Sequence, residues 1–227
     1  MKFSQEIYKV RHPKAIIADG ASIAETCRVD EGCQISAEAE LCHGAVLNRN
    51  VKVIGSVRLG ISVVIREDVT LTGPLQIGEG TFVGRASTIG SNRPDQIPPE
   101  QATIIEKYCL IGKGAEIIGG VHLGERVRVR AGSHVMGDVP SYGIAARSPA
   151  ILERFACPQC GHSLVVKRTS GALSIMVCSS CRGQEYRFSR KAMMRKISRV
   201  LLPNDSEGER LSTQGDDLTW RNEIEIQ

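Results

Sequence analysis

The sequence predicts an all-β fold in which a repeating solenoid is followed by a small metal-binding module and a short basic helix. The solenoid is indicated by an aliphatic residue at every sixth position from Ile17 to Ile89, and again from Ile105 to Val135. Neither the 3.6-residue period of a helix nor the alternation of a strand selects every sixth residue alone. Two Cys-x-x-Cys pairs indicate the module, and the basic, amphipathic residues 189–202 indicate the helix.

Each six-residue unit of this repeat is a short strand and a turn, too small to bury its aliphatic side chain alone. Stacked units pair their backbones at ~4.8 Å and bring the aliphatic side chains into one narrow core. A second series lies four residues after the aliphatic positions. We predict that its small side chains point inward and fill the core beside the aliphatic ones, and that its cysteines are free thiols. This second series comprises Ala21, Cys27, Cys33, Ala39, Ala45, Val51, Val57, Val63, Val69, Cys109, Ala115, Val121, Val127, Ser133 and Val139.

The pattern aliphatic–Gly–x–x–small–x resembles the hexapeptide-repeat family, whose fold is a left-handed parallel β-helix. The resemblance covers residues 17 to about 152. Three hexads make one triangular coil in that family, so the nineteen aliphatic positions imply about six coils. The segments 130–133, 137–142 and 145–150 look like the closing motif of the acetyltransferase branch of this family.

A break in the repeat predicts a loop that leaves the solenoid. Sixteen residues separate Ile89 from Ile105, which is not a multiple of six, and residues 91–104 include three prolines. Loops on a rigid scaffold often carry binding and catalysis. In acetyltransferases of the family such a loop lines a cleft between neighbouring subunits. Family members are trimers, so the resemblance implies a homotrimer with its site between subunits. The alternative is a tolerated insertion that has no function.

Acyl transfer needs a base that takes the proton of the acceptor. His43 lies two residues after Leu41, at an outward corner, in the phase at which several sugar N-acyltransferases and lipid A-type acyltransferases of the family carry their histidine. Sugar and serine O-acetyltransferases carry His-Pro in the loop, whereas this loop has Arg93-Pro94. The base is therefore His43, a carboxylate such as Asp95, or absent.

Two further histidines of the repeat, His122 and His134, each lie five residues after an aliphatic position and also point outward. They are two hexads apart, so a three-sided coil places them on different faces. This separation excludes a three-histidine metal centre that resembles γ-type carbonic anhydrase. As single residues, both are read as surface histidines.

The resemblance also places coenzyme A along the last coils, which implies acetyl-CoA or another acyl-CoA as co-substrate. The residues that it implies for contact with the coenzyme are Gly114, Arg128, Arg130, Ala131, Gly132, Ser133 and Arg147. Arg147 stands where the closing motif of the family has glycine, which lets a ligand approach closely. Arg147 either obstructs the usual coenzyme path or contacts the nucleotide phosphates, and both alternatives stay open.

The two Cys-x-x-Cys pairs predict a zinc site. Seventeen residues separate Cys157-x-x-Cys160 from Cys178-x-x-Cys181, a spacing typical of four-thiolate zinc sites. The intervening residues 163–168 and 173–177 read as two strands, so the module looks like a zinc ribbon. Four thiolates fill the coordination shell of Zn²⁺, which predicts a structural ion.

Charge divides the chain into three parts. We predict a β-helix domain over residues 1–152, a ribbon and basic helix over 153–203, and an acidic, disordered tail over 204–227. Residues 151–203 hold ten basic and two acidic side chains, whereas residues 204–227 hold two basic and seven acidic side chains. The positive charge of residues 151–203 predicts that this module binds an acidic protein surface, a nucleic acid or the acidic tail. No apolar run suits a signal peptide or membrane span, so we expect a cytoplasmic protein.

Two functions follow from these observations. The first is an acyltransferase that uses acetyl-CoA for O- or N-acetylation of a sugar or another small acceptor. The second is a catalytically silent trimeric scaffold that presents zinc ribbons to a protein or nucleic-acid partner. Binding of a thioester distinguishes the two.

Overall fold

The computed structural model describes residues 11–90, 102–170, 173–181 and 183–189, and the regular elements within these ranges are all β-strands. In this part of the chain, no helix is long and apolar enough to cross a membrane. Most of the predicted loop 91–104 and the tail 204–227 lie outside the described residues. So does the predicted helix 189–202 after Ser189, which ends a strand.

The chain divides into two compact units, Met1–Glu153 and Arg154–Gln227. The first unit consists of twenty short strands and the beginning of another. In chain order they are β1 (Ile16–Ile17), β2 (Ser22–Ile23), β3 (Arg28–Val29), β4 (Gln34–Ile35), β5 (Glu40–Leu41), β6 (Val46–Leu47), β7 (Lys52–Ile54), β8 (Val57–Leu59), β9 (Val64–Ile65), β10 (Thr70–Thr72), β11 (Leu75–Ile77), β12 (Phe82–Val83), β13 (Thr88–Gly90), β14 (Thr103–Ile105), β15 (Leu110–Ile111), β16 (Glu116–Ile118), β17 (His122–Leu123), β18 (Arg128–Val129), β19 (His134–Val135), β20 (Gly143–Ala146) and β21 (Ile151–Phe155).

Strands β1–β20 form three parallel sheets, one on each side of a triangular coil, and β21 joins the end of the third sheet. Face 1 has the order β1-β4-β7-β10-β13-β16-β19, face 2 the order β17-β14-β11-β8-β5-β2, and face 3 the order β21-β20-β18-β15-β12-β9-β6-β3. Partners lie one coil apart, eighteen residues on, as in Ile17 with Ile35 and Leu71 with Ile89. The predicted parallel β-solenoid is therefore confirmed, while its left hand stays a prediction.

The solenoid has about seven coils, one more than predicted. The repeat ends at Val135, but the chain then adds two more sides, at Val139 and at β20. Val139 pairs with Leu123, only sixteen residues away, so the last coil departs from the hexad count. Val139 therefore occupies an aliphatic position and not the filler position that we predicted for it.

The filler series contributes hydrogen bonds as well as volume. Buried cysteines of this series donate to a corner carbonyl of the following coil, and so do Thr81 and Ser87, which occupy the same hexad position four residues after Ile77 and Val83. These bonds are Cys27 Sγ to Cys42 O (3.1 Å), Cys33 Sγ to Asn48 O (3.0 Å), Thr81 Oγ1 to Glu106 O (3.1 Å), Ser87 Oγ to Gly112 O (3.0 Å) and Cys109 Sγ to Gly124 O (3.2 Å). Burial raises the pKa of Cys109 to about 12, so this cysteine stays a protonated donor, as the free-thiol interpretation predicts.

The loop interrupts the chain without disturbing the stacking. Thr70 pairs with Thr88, eighteen residues on, whereas Leu75 pairs with Thr103, twenty-eight residues on. The insertion therefore adds ten residues between face 1 and face 2. The chain leaves face 1 after Gly90 and returns in register on face 2.

The second unit contains an antiparallel sheet with the order β22-β23-β24. Its strands are β22 (Val165–Ser170), β23 (Leu173–Val177) and β24 (Glu185–Ser189). The first two match the two strands predicted between the cysteine pairs, and β24 was not predicted. Among the described residues of this unit, the buried side chains are Phe155, Ala156, Cys157, Leu164, Ser174, Ile175, Met176, Cys178 and Tyr186.

Gly90, at the root of the loop, gives a test of the solenoid. It has φ +105°, and a Cβ there would lie 1.9 Å from Thr72 O. We expect Gly90→Ala to lower the free energy of unfolding by about 3 kcal/mol, because the backbone must move. Gly55→Ala is the control, since φ is +71° but the nearest atom is 3.9 Å away. It should cost about 1 kcal/mol. Denaturant unfolding followed by circular dichroism measures both, and equal losses would contradict this account.

Candidate functional site

The edge between face 3 and face 1 gathers most of the predicted coenzyme residues. Gly114 follows β15, Ala131 and Gly132 follow β18, and Arg147 follows β20, so they occupy this edge in three successive coils. Backbone hydrogen bonds stack these corners: Gly132 N–H donates to Lys113 O, and Gly114 N–H donates to Arg85 O, both at 2.9 Å. We call this the coenzyme edge.

In two of the last coils, one corner position of the coenzyme edge has no side chain. This corner position has positive φ in each of the first six coils, and its residue is in turn Gly32, Asn50, Asp68, Ala86, Gly114 and Gly132. A Cβ on Gly32 would lie only 2.3 Å from Asn50 Oδ1. A Cβ built on Gly114 or Gly132 would meet nothing within 4 Å. The backbone of the last coils is therefore open to a ligand.

Cations line the same open stretch. Arg85 and Lys113 occupy the corner position of Ala131 in earlier coils, and Arg147 follows in the last coil. The sequence reasoning missed Arg85 and Lys113. Counting back one coil of eighteen residues from Ala131 finds Lys113, whereas Arg85 is found only when the ten inserted residues are also subtracted. Arg130 also lies at this edge, where its Nε is 3.2 Å from Oε2 of Glu153. The result is an open backbone strip with an excess of positive charge.

Arg147 keeps the backbone conformation that glycine adopts most easily. Its φ is +85°, in the left-handed region, where a residue with a Cβ is strained by about 1–2 kcal/mol. Its carbonyl accepts a hydrogen bond from His134 N at 3.0 Å, which holds the corner in place. Arg147 therefore has the backbone shape of a glycine corner and adds a cation to it.

Arg128 and Ser133 lie apart from the open strip. Arg128 lies in β18, where it pairs with Leu110 on face 3. Ser133 is only 1% exposed, and its Oγ has no hydrogen-bond partner among the described residues. It occupies the filler position, so its side chain belongs to the interior of the solenoid.

His43 lies on a different edge from the coenzyme residues. It occupies the corner between β5 and β6, where face 2 meets face 3, and its side chain is exposed. Its Nδ1 lies 3.2 Å from Thr26 Oγ1. Gly114 lies three to four coils further along, roughly 14–19 Å at the spacing of parallel strands. One chain therefore does not bring His43 to the coenzyme edge, and Asp95 lies outside the described residues.

His122 forms a pair with a carboxylate that the sequence reasoning did not identify. Its Nε2 lies 3.1 Å from Glu106 Oε1, and its backbone N–H donates to Asp138 Oδ1 at 2.8 Å. A carboxylate only accepts, so a contact of this kind favours the tautomer with the proton on Nε2, in which Nδ1 can accept another. Sixteen residues separate Glu106 from His122, so coil counting alone does not reveal the pair.

The His122–Glu106 pair lies close to the root of the loop. His122 pairs with Ile104 in β14, the strand with which the chain returns from the insertion. The other outward histidine, His134, lies on face 1, and its Nε2 is 3.9 Å from Glu116 Oε2. That separation exceeds hydrogen-bond range. The two histidines occupy different faces, as predicted.

The four cysteines of the second unit converge on one point. Their Sγ atoms all lie within 4.8 Å of one another, with 3.8 Å between Cys157 and Cys181 and 3.5 Å between Cys160 and Cys178. A tetrahedral zinc site with Zn–S bonds of about 2.3 Å requires sulfurs about 3.8 Å apart. A disulfide requires about 2.05 Å. The geometry therefore fits a four-thiolate metal site.

A turn that contains a glycine follows each Cys-x-x-Cys pair and orients its sulfurs. The N–H of Gly161 donates to Cys157 O at 2.8 Å, and the N–H of Gly183 donates to Cys178 O at 3.1 Å. Both glycines have positive φ, of 73° and 79°. Each Cys-x-x-Cys pair is thus closed by a turn that favours glycine.

The electrostatics of the cluster also suit a cation. The backbone N–H of His162 and the neighbouring Cys181 lower the pKa of Cys160 to about 6. Cys160 and burial in turn raise the pKa of Cys181 to about 12. Four sulfurs this close cannot all ionise without a positive charge among them, which Zn²⁺ would supply. Buried Tyr186 is hydrogen-bonded to Cys157 Sγ at 3.1 Å and fixes one sulfur.

Part of the repeat matches a known protein family. Residues 102–137 match the family model described as bacterial transferase hexapeptide (six repeats). Together with the acyltransferases among its relatives, this match supports the resemblance to hexapeptide-repeat transferases.

Two relatives and one solved structure illustrate the range of similarity. Serine acetyltransferase of Buchnera aphidicola is 29% identical over 116 residues, which cover 51% of this chain and 38% of that protein. The dTDP-3-amino-3,6-dideoxy-alpha-D-galactopyranose 3-N-acetyltransferase of Aneurinibacillus thermoaerophilus is 39% identical over 62 residues, or 27% and 32% of the two chains. The chain thus spans well under half the length of these curated relatives. PerB from Caulobacter crescentus, solved with CoA and GDP-perosamine, has 23% identity and a TM-score of 0.45, and the match covers 64% of this chain and 57% of PerB.

The cysteine cluster predicts about one zinc per chain. We expect Cys178→Ser to abolish tight zinc binding, because three thiolates leave the tetrahedral shell incomplete. Cys42→Ser is the control, since Cys42 is half-buried in the solenoid and outside the cluster. Zinc released to a colorimetric chelator after denaturation measures both. Stoichiometric zinc in the Cys178→Ser protein would exclude the assignment.

Proposed function

We propose that this protein transfers an acyl group from acetyl-CoA or another acyl-CoA to a hydroxyl or amine of a sugar or another small acceptor. The observation that carries the proposal is the coenzyme edge, where open backbone at Gly114 and Gly132 lies beside Arg85, Lys113 and Arg147. Coenzyme A combines a slender arm, which needs open backbone, with phosphates, which need cations. The names of the sequence relatives, serine and sugar acetyltransferases, support the same reaction class.

The reaction requires a base beside the thioester. The base takes the proton of the acceptor as the acceptor attacks the thioester carbonyl. The C–S bond then breaks, the acyl group stays on the acceptor, and the base returns the proton to sulfur, so that coenzyme A leaves as the thiol. His43 and Asp95 remain candidates from the sequence, and the geometry adds His122. Its pairing with Glu106 is the kind of orienting contact that fixes the tautomer of a catalytic base.

The separation of these groups favours an assembly, and a homotrimer with sites between subunits is part of the proposal. The coenzyme edge lies between faces 3 and 1, whereas His43 lies between faces 2 and 3 and His122 starts a strand of face 2. A neighbouring chain would bring a second edge to the first. The outer surface of face 3 offers a contact, because Val46, Val64, Phe82 and Leu110 form an apolar column in register.

The alternative function is a catalytically silent scaffold that presents zinc ribbons to a protein or nucleic-acid partner. The exposed His43, distant from the coenzyme edge, favours this alternative. For both functions we propose that the zinc ion bound by Cys157, Cys160, Cys178 and Cys181 is structural, because four sulfurs leave no open position for water. The cytoplasmic location stays a prediction.

The coenzyme edge predicts binding that depends on its cations. We expect calorimetry of the zinc-loaded protein to show micromolar binding of acetyl-CoA and of CoA. Reversing two charges, in Arg85→Glu with Lys113→Glu, should weaken binding roughly tenfold or more at low salt. Arg49→Glu is the matched control, because Arg49 has the same corner position in an early coil. Absence of binding at millimolar ligand would favour the scaffold.

Turnover distinguishes the two histidines. We expect His122→Asn to lower kcat roughly 100-fold or more, with little change in KM for acetyl-CoA, because only proton transfer is lost. Glu106→Gln should lower kcat less. Thiol release from acetyl-CoA, with serine and amino-sugar nucleotides as acceptors, measures the rate. Full activity of His122→Asn together with an inactive His43→Ala would assign the base to His43 instead.

A further inference from the structure

One cation of the coenzyme edge already has an anionic partner. Arg130 lies at the corner that follows β18, and its Nε is 3.2 Å from Oε2 of Glu153. The backbone N–H of Arg130 donates to Ala145 O at 2.9 Å, which fixes this corner beneath the last coil. The cations of the edge that form no ion pair within the part of the chain that the structure describes are Arg85, Lys113 and Arg147.

The carboxylate of Glu153 belongs to a strand that is held at both ends. Glu153 lies in β21, which joins β20 at the end of face 3. β21 continues to Phe155, whose carbonyl accepts a hydrogen bond from the N–H of Leu164 at 2.9 Å. The side chain of Glu153 is 22% exposed, whereas that of Arg130 is 57% exposed. Arg130 is therefore the partner that can turn toward a ligand, while Glu153 keeps its place.

Arginine binds carboxylates and phosphates with the same donors. Its guanidinium presents N–H groups in a planar fork that fits either anion. A phosphate that lies on the open backbone strip would meet an Arg130 whose charge Glu153 already offsets. The phosphate gains this cation only when Arg130 leaves Glu153, or when the two anions share it and repel each other. Glu153 thus opposes the binding of an anion that Arg130 alone would favour.

We propose that Glu153 competes with the phosphates of coenzyme A for Arg130 and thereby lowers the affinity of the coenzyme edge. The inference rests on the proposed function, because it requires the edge to bind the coenzyme. In the free protein Arg130 pairs with Glu153, and in the complex it turns to a phosphate. The return of Arg130 to Glu153 then favours release of the coenzyme as the thiol after transfer.

Calorimetric titration of the full-length, zinc-loaded protein with CoA tests the competition. We expect Glu153→Gln, which keeps the size of the side chain and removes its charge, to bind CoA roughly three- to fivefold more tightly at low salt. Higher salt should reduce this gain, because it screens charges at the surface. A gain in affinity is a specific signal, since damage to the fold would weaken binding.

Two controls separate this contact from a general change in charge. Glu125→Gln removes the same charge from a similar pair on another edge, where Arg126 Nε lies 3.4 Å from Glu125 Oε1 and the two side chains are 49% and 23% exposed. It should leave the affinity for CoA unchanged. In the Arg130→Gln background, Glu153→Gln should bring a clearly smaller gain, because the cation for which Glu153 competes is absent.

The possible failures of this inference and of the proposed function are distinct. Equal or weaker binding of CoA by Glu153→Gln than by the unmodified protein would overturn the competition alone. An equal gain in the Arg130→Gln background would also overturn it, because Glu153 would then repel the ligand directly and not act through Arg130. Binding of CoA without acyl transfer would overturn only the proposed function, and absence of CoA binding in every variant would overturn both.

Discussion

Backbone hydrogen bonds between successive coils, at a register of eighteen residues, determine the structure of the first unit. Because each residue lies beside its equivalent in the next coil, as Leu71 lies beside Ile89, every property of a hexad position becomes a column along the solenoid. Aliphatic positions become the core, and corner positions become edges. Five hydroxyls and thiols at the filler position strengthen the same register, since they donate to corner carbonyls of the following coil, whereas Ser133 Oγ has no hydrogen-bond partner among the described residues.

The register also explains how function is distributed. The loop adds ten residues between β13 and β14, yet Thr103 returns opposite Leu75, so the columns continue past the insertion. This continuity keeps Arg85, before the loop, in line with Lys113 and Ala131 after it. An insertion that shifted the register by even one residue would separate these cations and turn the core residues outward.

The periodic part of this structure could be predicted from the sequence, and little of the rest could. The aliphatic positions are buried as predicted from Val29 to Val135, while Ile17 and Ile23 are only partly buried because they lie in the first coil. Contacts that depart from the period were not predictable. Glu106 and His122 are sixteen residues apart, and Val139 changes its role because the last coil is two residues shorter. The cysteine spacing predicted which sulfurs converge, but β24 and the contact of Tyr186 with Cys157 depend on packing.

The two units derive their stability from different sources, and this difference bears on function. The solenoid buries a continuous core, so its edges can remain open and charged without loss of the fold. Among its described residues the second unit buries nine side chains, and its four sulfurs need a cation to neutralise them. A three-sided coil, in turn, holds its three edges apart whatever their chemistry. Open backbone on one edge and a paired histidine near another can therefore act on one substrate only when a second chain brings its own edge alongside, which makes assembly a condition of the proposed chemistry.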